Sequence, residues 1–68
     1  MSWIFELNRL CCADKRARIT LQDGEVIDCT PSALVYDDEG NEEMTVELTD
    51  GYLYSFSETD IASVQEIE

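Results

Sequence analysis

The sequence predicts a mainly β domain, a small five-stranded antiparallel barrel preceded by one N-terminal α-helix. Three observations predict it: apolar residues at helical spacing near the start, apolar and polar residues that alternate from Ala17 onward, and two Asp-Gly pairs between alternating segments. The 68 residues have room for one hydrophobic core, so we predict a single domain over 1–68. A sheet of this size hides its edges best by closing into a barrel.

The first element is predicted as a helix over residues 2–13. Its apolar residues fall on one stripe, which consists of Trp3, Ile4, Leu7, Leu10 and Cys11. Ser2 can cap the start, and Lys15 and Arg16 follow the end, where positive charge suits the helix dipole. Because an isolated helix of this length is marginal in water, its stripe must pack on the rest of the chain or on another subunit.

The barrel is predicted over residues 17–67. Its extended segments are 17–22, 25–30, 33–36, 44–49, 52–56 and 61–67. Asp-Gly pairs at 23–24 and 50–51 predict tight hairpin turns, and Pro31 ends or bends the second strand. Residues 37–43 form a polar, acidic loop, and residues 57–60 are predicted as one helical turn. The last strand is irregular, since Val64 and Ile67 cannot both face inward on an unbroken strand.

The charge is strongly acidic and unevenly distributed. The chain has 16 acidic residues, 4 basic residues and no histidine, which gives a net charge of −12. All four basic residues lie in 1–22, whereas 23–68 carry 14 acidic residues and no basic one. Such a surface repels phosphate, so nucleic acid is a disfavoured partner. Its simplest role is to keep a small domain in solution.

Catalytic, cofactor and metal sites are not expected. Without histidine, the chain cannot form a Cys-His or Ser-His pair, and its carboxylates lack an apolar pocket that would shift their pKa values. Three cysteines form no disulfide framework and lack the spacing of a zinc site. Cys11 belongs to the apolar stripe, and Cys12, near two basic residues, is the alternative candidate for a reactive thiol.

Two segments carry a resemblance to a known family. The segment RITLQDGEVIDCT at 18–30 resembles the opening strands of Sm-like proteins, and YSFSETDIASV at 54–64 is similar to the end of small bacterial Sm-like or SH3-like barrels. The resemblance implies an Sm/SH3-like barrel in which Ile27 and Cys29 point inward with Ile19 and Leu21. The Asp-x-aromatic-x-Asn and Arg-Gly patterns of Sm proteins that contact RNA have no counterpart in this chain.

These observations favour a non-enzymatic, cytoplasmic interaction module without a cofactor, whose partner is another protein or a second copy. Neither a secretory signal nor a membrane span is apparent in the sequence. The alternative is an RNA-binding Sm-like protein that uses the basic stretch between Arg9 and Arg18. The candidate interaction residues are Arg9, Lys15, Arg16, Arg18, Tyr52 and Tyr54. The tyrosines belong either to the barrel core and rim or to a protein interface, where aromatic residues are enriched.

Overall fold

One helix and five strands follow one another along the chain in a computed structural model that describes residues 2–67. Residues 1 and 68 of the predicted domain lie outside the described residues. The elements are α1 (Trp3–Cys12), β1 (Ala17–Leu21), β2 (Val26–Tyr36), β3 (Glu42–Leu48), β4 (Leu53–Ser57), a 3₁₀ turn (Glu58–Asp60) and β5 (Ile61–Glu66). The predicted helix over 2–13 and the five-stranded antiparallel composition are thereby confirmed, with the helix shorter by one residue at each end.

The five strands form one antiparallel sheet in the order β4-β3-β2-β1-β5. Both Asp-Gly turns form as predicted, with Gly24 at φ +94° and Gly51 at φ +92°, a region that favours glycine. The carboxylate of Asp23 accepts a hydrogen bond from the N–H of Glu25, and that of Asp50 accepts one from Tyr52. The two hairpins therefore lie side by side, because β2 pairs with β3.

The predicted closure into a barrel is wrong, because β4 and β5 do not pair with each other in the described part of the chain. At the end of β4, the N–H of Ser57 donates a hydrogen bond to the carboxylate of Asp60 in the 3₁₀ turn that joins the two strands, at 3.0 Å. That donor is therefore not available to a further strand, and β4 pairs with β3 while β5 pairs with β1. The sheet therefore keeps two open edges.

Pro31 bends β2 instead of ending it, so the two predicted segments 25–30 and 33–36 are one strand. The pairing with β3 shifts register between Pro31 and Ala33, which leaves Ser32 as the extra residue of a bulge. Beyond Cys29, β2 has no β1 partner on its other side, so a proline without an N–H costs no ladder hydrogen bond there. The freed carbonyl of Ser32 accepts a hydrogen bond from the Cys11 thiol, with sulfur and oxygen 3.2 Å apart.

A second register shift lies at the start of the last strand, whereas Ile67, which was expected to conflict with Val64, lies after the end of β5. Leu21 pairs with Ile61, whereas the preceding Thr20 pairs with Ser63, so Ala62 is an extra residue on β5. This bulge lets Ile61 and Val64 contact the same core although they are three residues apart. Ile67 follows β5 and donates its N–H to the carbonyl of Arg16.

The core lies between α1 and the concave face of the sheet. The helix contributes Ile4, Leu7 and Leu10, and the sheet contributes Ala17, Ile19, Cys29, Met44, Val46, Phe56 and Ile61. Cys29 and Ile19 point inward as the resemblance implied, while Leu21 and Ile27 are half-buried beside them. Phe5, on the opposite side of the helix, stays 70% exposed.

The start of α1 is connected to the 3₁₀ turn by one carboxylate. Glu58 accepts hydrogen bonds from the N–H groups of Trp3 and Ile4 at 2.7 and 2.9 Å and from the Ser2 hydroxyl at 2.9 Å. Ser2 in turn accepts from the N–H of Phe5, which confirms it as the helix cap. The first free N–H groups of the helix are therefore satisfied by one local residue and one residue distant in sequence.

The end of α1 is formed by an aspartate in a backbone conformation that favours glycine. Asp14 has φ +60°, and the next N–H, that of Lys15, donates to the carbonyl of Leu10 at 2.9 Å. The left-handed conformation costs a residue with a side chain about 1 kcal/mol, and a negative charge is unfavourable at a helix C-terminus.

We expect Asp14→Gly to raise the free energy of unfolding by about 0.5–1 kcal/mol, because glycine adopts φ +60° without the steric cost. Urea titration followed by circular dichroism measures the change. Asp14→Asn is the matched control, since it removes the charge and keeps a side chain. A gain as large in the asparagine variant would assign the effect to charge and contradict the backbone explanation.

Candidate functional site

The six predicted interaction residues do not form one surface. Arg9 lies on α1, Lys15 and Arg16 lie in the connection to β1, and Arg18 lies on β1. The two tyrosines lie just before and within β4, which is separated from β1 by two intervening strands in the sheet order. The structure thus divides the predicted set into a basic group and an aromatic group.

The basic group is partly neutralised by carboxylates of the same chain. Arg9 forms an ion pair with Glu6 and lies 3.9 Å from a carboxylate oxygen of Glu66. Arg18 donates two hydrogen bonds to Asp28, at 2.8 and 3.1 Å, and these bonds lower the pKa of Asp28. Two of the four positive charges are therefore already engaged, which leaves little positive surface for RNA.

The aromatic group lies in an exposed apolar segment at the start of β4, and the central residue of this segment was missed from the sequence. Tyr52, Leu53 and Tyr54 are 71%, 65% and 59% exposed, and they are consecutive. We call these three residues the β4 patch. Leu53 alternates with the tyrosines and therefore faces the other side of the sheet. The hydrophobic pattern alone could not show that both sides of β4 are exposed at this point.

The β4 patch borders an unpaired strand edge. Leu48 donates its N–H to the carbonyl of Tyr52, and the ladder continues through the pairs Val46–Tyr54 and Met44–Phe56. In an antiparallel ladder the hydrogen-bonding residues alternate, so the N–H and C=O groups of Leu53 and Ser55 point away from β3. These backbone groups face the open edge of the sheet.

A cleft lies beside this edge, between the two Asp-Gly hairpins and the 3₁₀ turn. We call it the hairpin cleft; its volume is about 600 Å³. Its apolar lining residues are Leu21, Ile27, Leu48, Tyr54 and Phe56. The rings of Tyr54 and Phe56 pack with centroids 5.7 Å apart. Because none of the lining residues belongs to α1, the cleft marks the part of the concave face that the helix leaves uncovered.

The rim of the hairpin cleft carries only negative charge. Asp23, Glu25 and Asp60 line it, and none of the four basic residues does. Gln22, also at the rim, donates its side-chain N–H to the carbonyl of Ile61 at 3.1 Å. The cleft therefore combines an apolar floor with an acidic border, and that combination favours a partner that is apolar and positively charged.

A second depression, of about 750 Å³, contains several carboxylates between α1 and the β2–β3 turn. Two of its carboxylates stabilise the fold: Glu58 accepts the N–H groups at the start of α1, and Asp37 accepts the N–H groups of Glu39 and Asn41 at 2.9 and 2.8 Å. Over residues 2–67, no three Cys, Asp or Glu side chains come together in an arrangement suited to a metal ion. The acidic loop predicted at 37–43 is accordingly a hydrogen-bonded turn, and β3 already begins at Glu42.

The cysteines are free, and each has a distinct environment. Cys29 is buried in the core, and burial raises the pKa of its thiol to about 11, which makes it a poor nucleophile. Cys11 contacts the β2 bulge, and Cys12 is exposed. No cysteine lines either of the two clefts described above.

Comparison with known proteins identifies a fold. No protein-family model matches the chain, and no curated protein matches it. The chain is similar to the structure of YaeO bound to magnesium from Vibrio cholerae O395, with a TM-score of 0.78, 11% identity, and coverage of 93% of this chain and 80% of that chain. It is also similar to a candidate lipoprotein from Pseudomonas syringae, with a TM-score of 0.58, 22% identity, and coverage of 79% and 94%. At these identities the likeness shows the fold alone.

Proposed function

We propose that this chain is a non-enzymatic protein-interaction module that binds its partner through the β4 patch and the hairpin cleft. The observation that carries the proposal is three consecutive large apolar residues, each more than half exposed, beside an apolar cleft and an unpaired strand edge. Exposed apolar patches of this kind are typical of interaction sites, and tyrosine is enriched in interface cores.

The chemistry of the cleft supports binding more than catalysis. Its polar lining residues are Gln22, Asp23, Glu25, Ser55, Thr59 and Asp60. The chain has no histidine, so no imidazole base lies beside a nucleophile in the cleft. A magnesium site is not part of the proposal, since residues 2–67 lack a suitable group of ligands.

A heterologous partner is a better candidate than a second copy or RNA. Each copy carries a net charge of −12, so two copies repel each other, and two of the four basic residues already pair within the chain. Contact between the basic stretch of one copy and the acidic surface of a second copy is disfavoured for the same reason. RNA binding through Arg9 and Arg18 has no observation in its favour.

Affinity capture with matched variants tests this proposal. The tagged protein, the Leu53→Ser/Tyr54→Ser double variant and the Phe5→Ser variant are each used to capture proteins from a cell extract. Phe5 is equally exposed but lies on α1, away from the β4 patch. A captured protein is then purified, and its dissociation constant for each form is measured by calorimetry.

We expect Phe5→Ser to bind like the parent protein and the double variant to bind at least about tenfold more weakly, since exposed aromatic and apolar anchors dominate interface energies. Equal affinities for all three forms would contradict the proposed surface.

Light scattering at low and high salt is run alongside, and a dimer lost in the double variant would assign the surface to self-association. Fluorescence anisotropy with RNA at low salt tests the RNA-binding alternative, which tight binding would favour.

A further inference from the structure

We infer that the hairpin cleft takes an extended, positively charged peptide segment that pairs with β4 as an added strand. The inference rests on the proposed function and specifies its partner. Three observations point to this class of ligand: the unsatisfied edge of β4, an apolar cleft directly beside that edge, and a rim that carries only negative charge.

The edge provides the backbone partners. The N–H and C=O groups of Leu53 and Ser55 point away from β3, and the next outward donor, the N–H of Ser57, is already bound to Asp60. An incoming segment can therefore form its hydrogen bonds at Leu53 and Ser55 and must end near Ser57. A short strand of about four or five residues satisfies this edge, which is the mode of binding known as strand addition.

The cleft provides the side-chain specificity. A strand beside β4 on the open side lies in the gap between β4 and β5, where the sheet fails to close. Alternate side chains of that strand would point to the concave face, where the half-buried Leu21 and Ile27 and the edge of Phe56 line the cleft. The volume of about 600 Å³ lies within the range of ligand pockets, about 300–1,000 Å³. The segment should therefore carry apolar residues at every second position.

The charge of the rim determines what flanks those apolar residues. Asp23 and Glu25 border one side of the cleft, Asp60 borders the end near the 3₁₀ turn, and Asp50 lies in the second hairpin turn. No basic residue follows position 22 in the whole sequence. A segment with Lys or Arg at its ends gains attraction from this rim, whereas an acidic segment or a second copy of this chain is repelled.

The test uses a synthetic peptide with valine and threonine alternating over five positions and two lysines at each end. Binding is followed by the amide shifts of the ¹⁵N-labelled protein up to about 1 mM peptide. Two control peptides are compared with it. The first has the same residues in an order that breaks the alternation of valine and threonine, and the second has glutamates in place of the lysines. We expect the first peptide to shift Leu53 and Ser55 and to slow hydrogen exchange at both amides, and the controls to bind at least about tenfold more weakly.

Two variants at one position isolate the backbone pairing. Ser55→Pro removes the outward N–H without breaking the β3 ladder, since that N–H does not point to β3. Ser55→Ala keeps the N–H and, like the proline variant, removes the hydroxyl contact with Thr45 of 3.0 Å. We expect the alanine variant to bind the peptide like the parent protein and the proline variant to bind about tenfold more weakly, because a backbone hydrogen bond is lost.

Several outcomes would overturn the inference. Equal binding by the proline and alanine variants, or by the alternating and the rearranged peptides, would show that no strand is added. If the proline variant fails to fold, hydrogen exchange of the Leu53 and Ser55 amides in the parent protein decides: unchanged rates at saturating peptide overturn the inference. If the peptide does not bind but Leu53→Ser/Tyr54→Ser still abolishes partner capture, the inference fails and the proposed function stands. If that variant also captures normally, both fail.

Discussion

Replacing Leu7 by alanine is expected to lower the free energy of unfolding by about 3 kcal/mol. Leu7 is fully buried in the middle of α1 and packs against the concave face of the sheet. A domain of this length has about 3–10 kcal/mol of stability in total. We therefore expect the variant to be largely unfolded on mild heating, as measured by circular dichroism and urea titration.

Phe5→Ala is the matched control for this substitution. Phe5 lies on the same helix and is 70% exposed, so its truncation should change the free energy of unfolding by no more than about 0.5 kcal/mol. If both variants lose the same stability, the helix stabilises the protein by its own propensity and not by packing. Retention of stability in Leu7→Ala would mean that α1 is not the cover of the core.

The second large effect is expected at Glu58, whose carboxylate holds the start of α1. Glu58→Ala should cost about 1–2 kcal/mol of unfolding free energy, because the N–H groups of Trp3 and Ile4 lose their acceptor. Thermal unfolding followed by circular dichroism measures this loss. Glu39→Ala is the control: it removes an acidic residue whose carboxylate accepts no hydrogen bond among the described residues, and its effect should be small.

The same contact predicts how stability depends on pH. Burial raises the pKa of Glu58, but the hydrogen bonds from Ile4, Trp3 and Ser2 outweigh it, and the pKa is lowered overall. Since the pKa of Glu58 is lower in the folded protein than in the unfolded chain, its hydrogen bonds stabilise the protein fully above the ordinary carboxyl pKa of about 4.3. This contribution to stability is lost as the pH falls through the lower pKa that Glu58 has in the folded protein. Between neutral pH and pH 3, Glu58→Gln should therefore lose less stability than the parent protein. Identical pH profiles would contradict this role of Glu58.

Local patterns predicted most of the fold, because the responsible interactions are close in sequence. The cap at Ser2, the two Asp-Gly turns and the inward positions of Ile19 and Cys29 all follow from spacing and turn chemistry. The open sheet was not predicted, since closure depends on whether two strands distant in sequence meet. The hydrogen bond from the N–H of Ser57 to Asp60, which occupies one outward donor of β4, is likewise not visible in any periodicity.

The candidate site was predicted only in part. The two tyrosines are on the exposed surface, but the basic residues lie elsewhere and two of them pair with carboxylates of the same chain. Leu53 was missed because an alternating strand at a sheet edge exposes both faces, and the sequence does not say which strand is an edge. The Sm-like resemblance and the cytoplasmic location stay predictions.

The contact between Glu58 and α1 also bears on the order in which the chain folds. Its three hydrogen bonds join residues 54–56 positions apart, so synthesis must have passed Glu58 before the helix can acquire them. Contacts between such distant residues are entropically costly and form late unless other structure has already brought the segments together. During synthesis the hairpins can assemble first, and the N-terminal segment then docks as a final step that commits the domain to its native state.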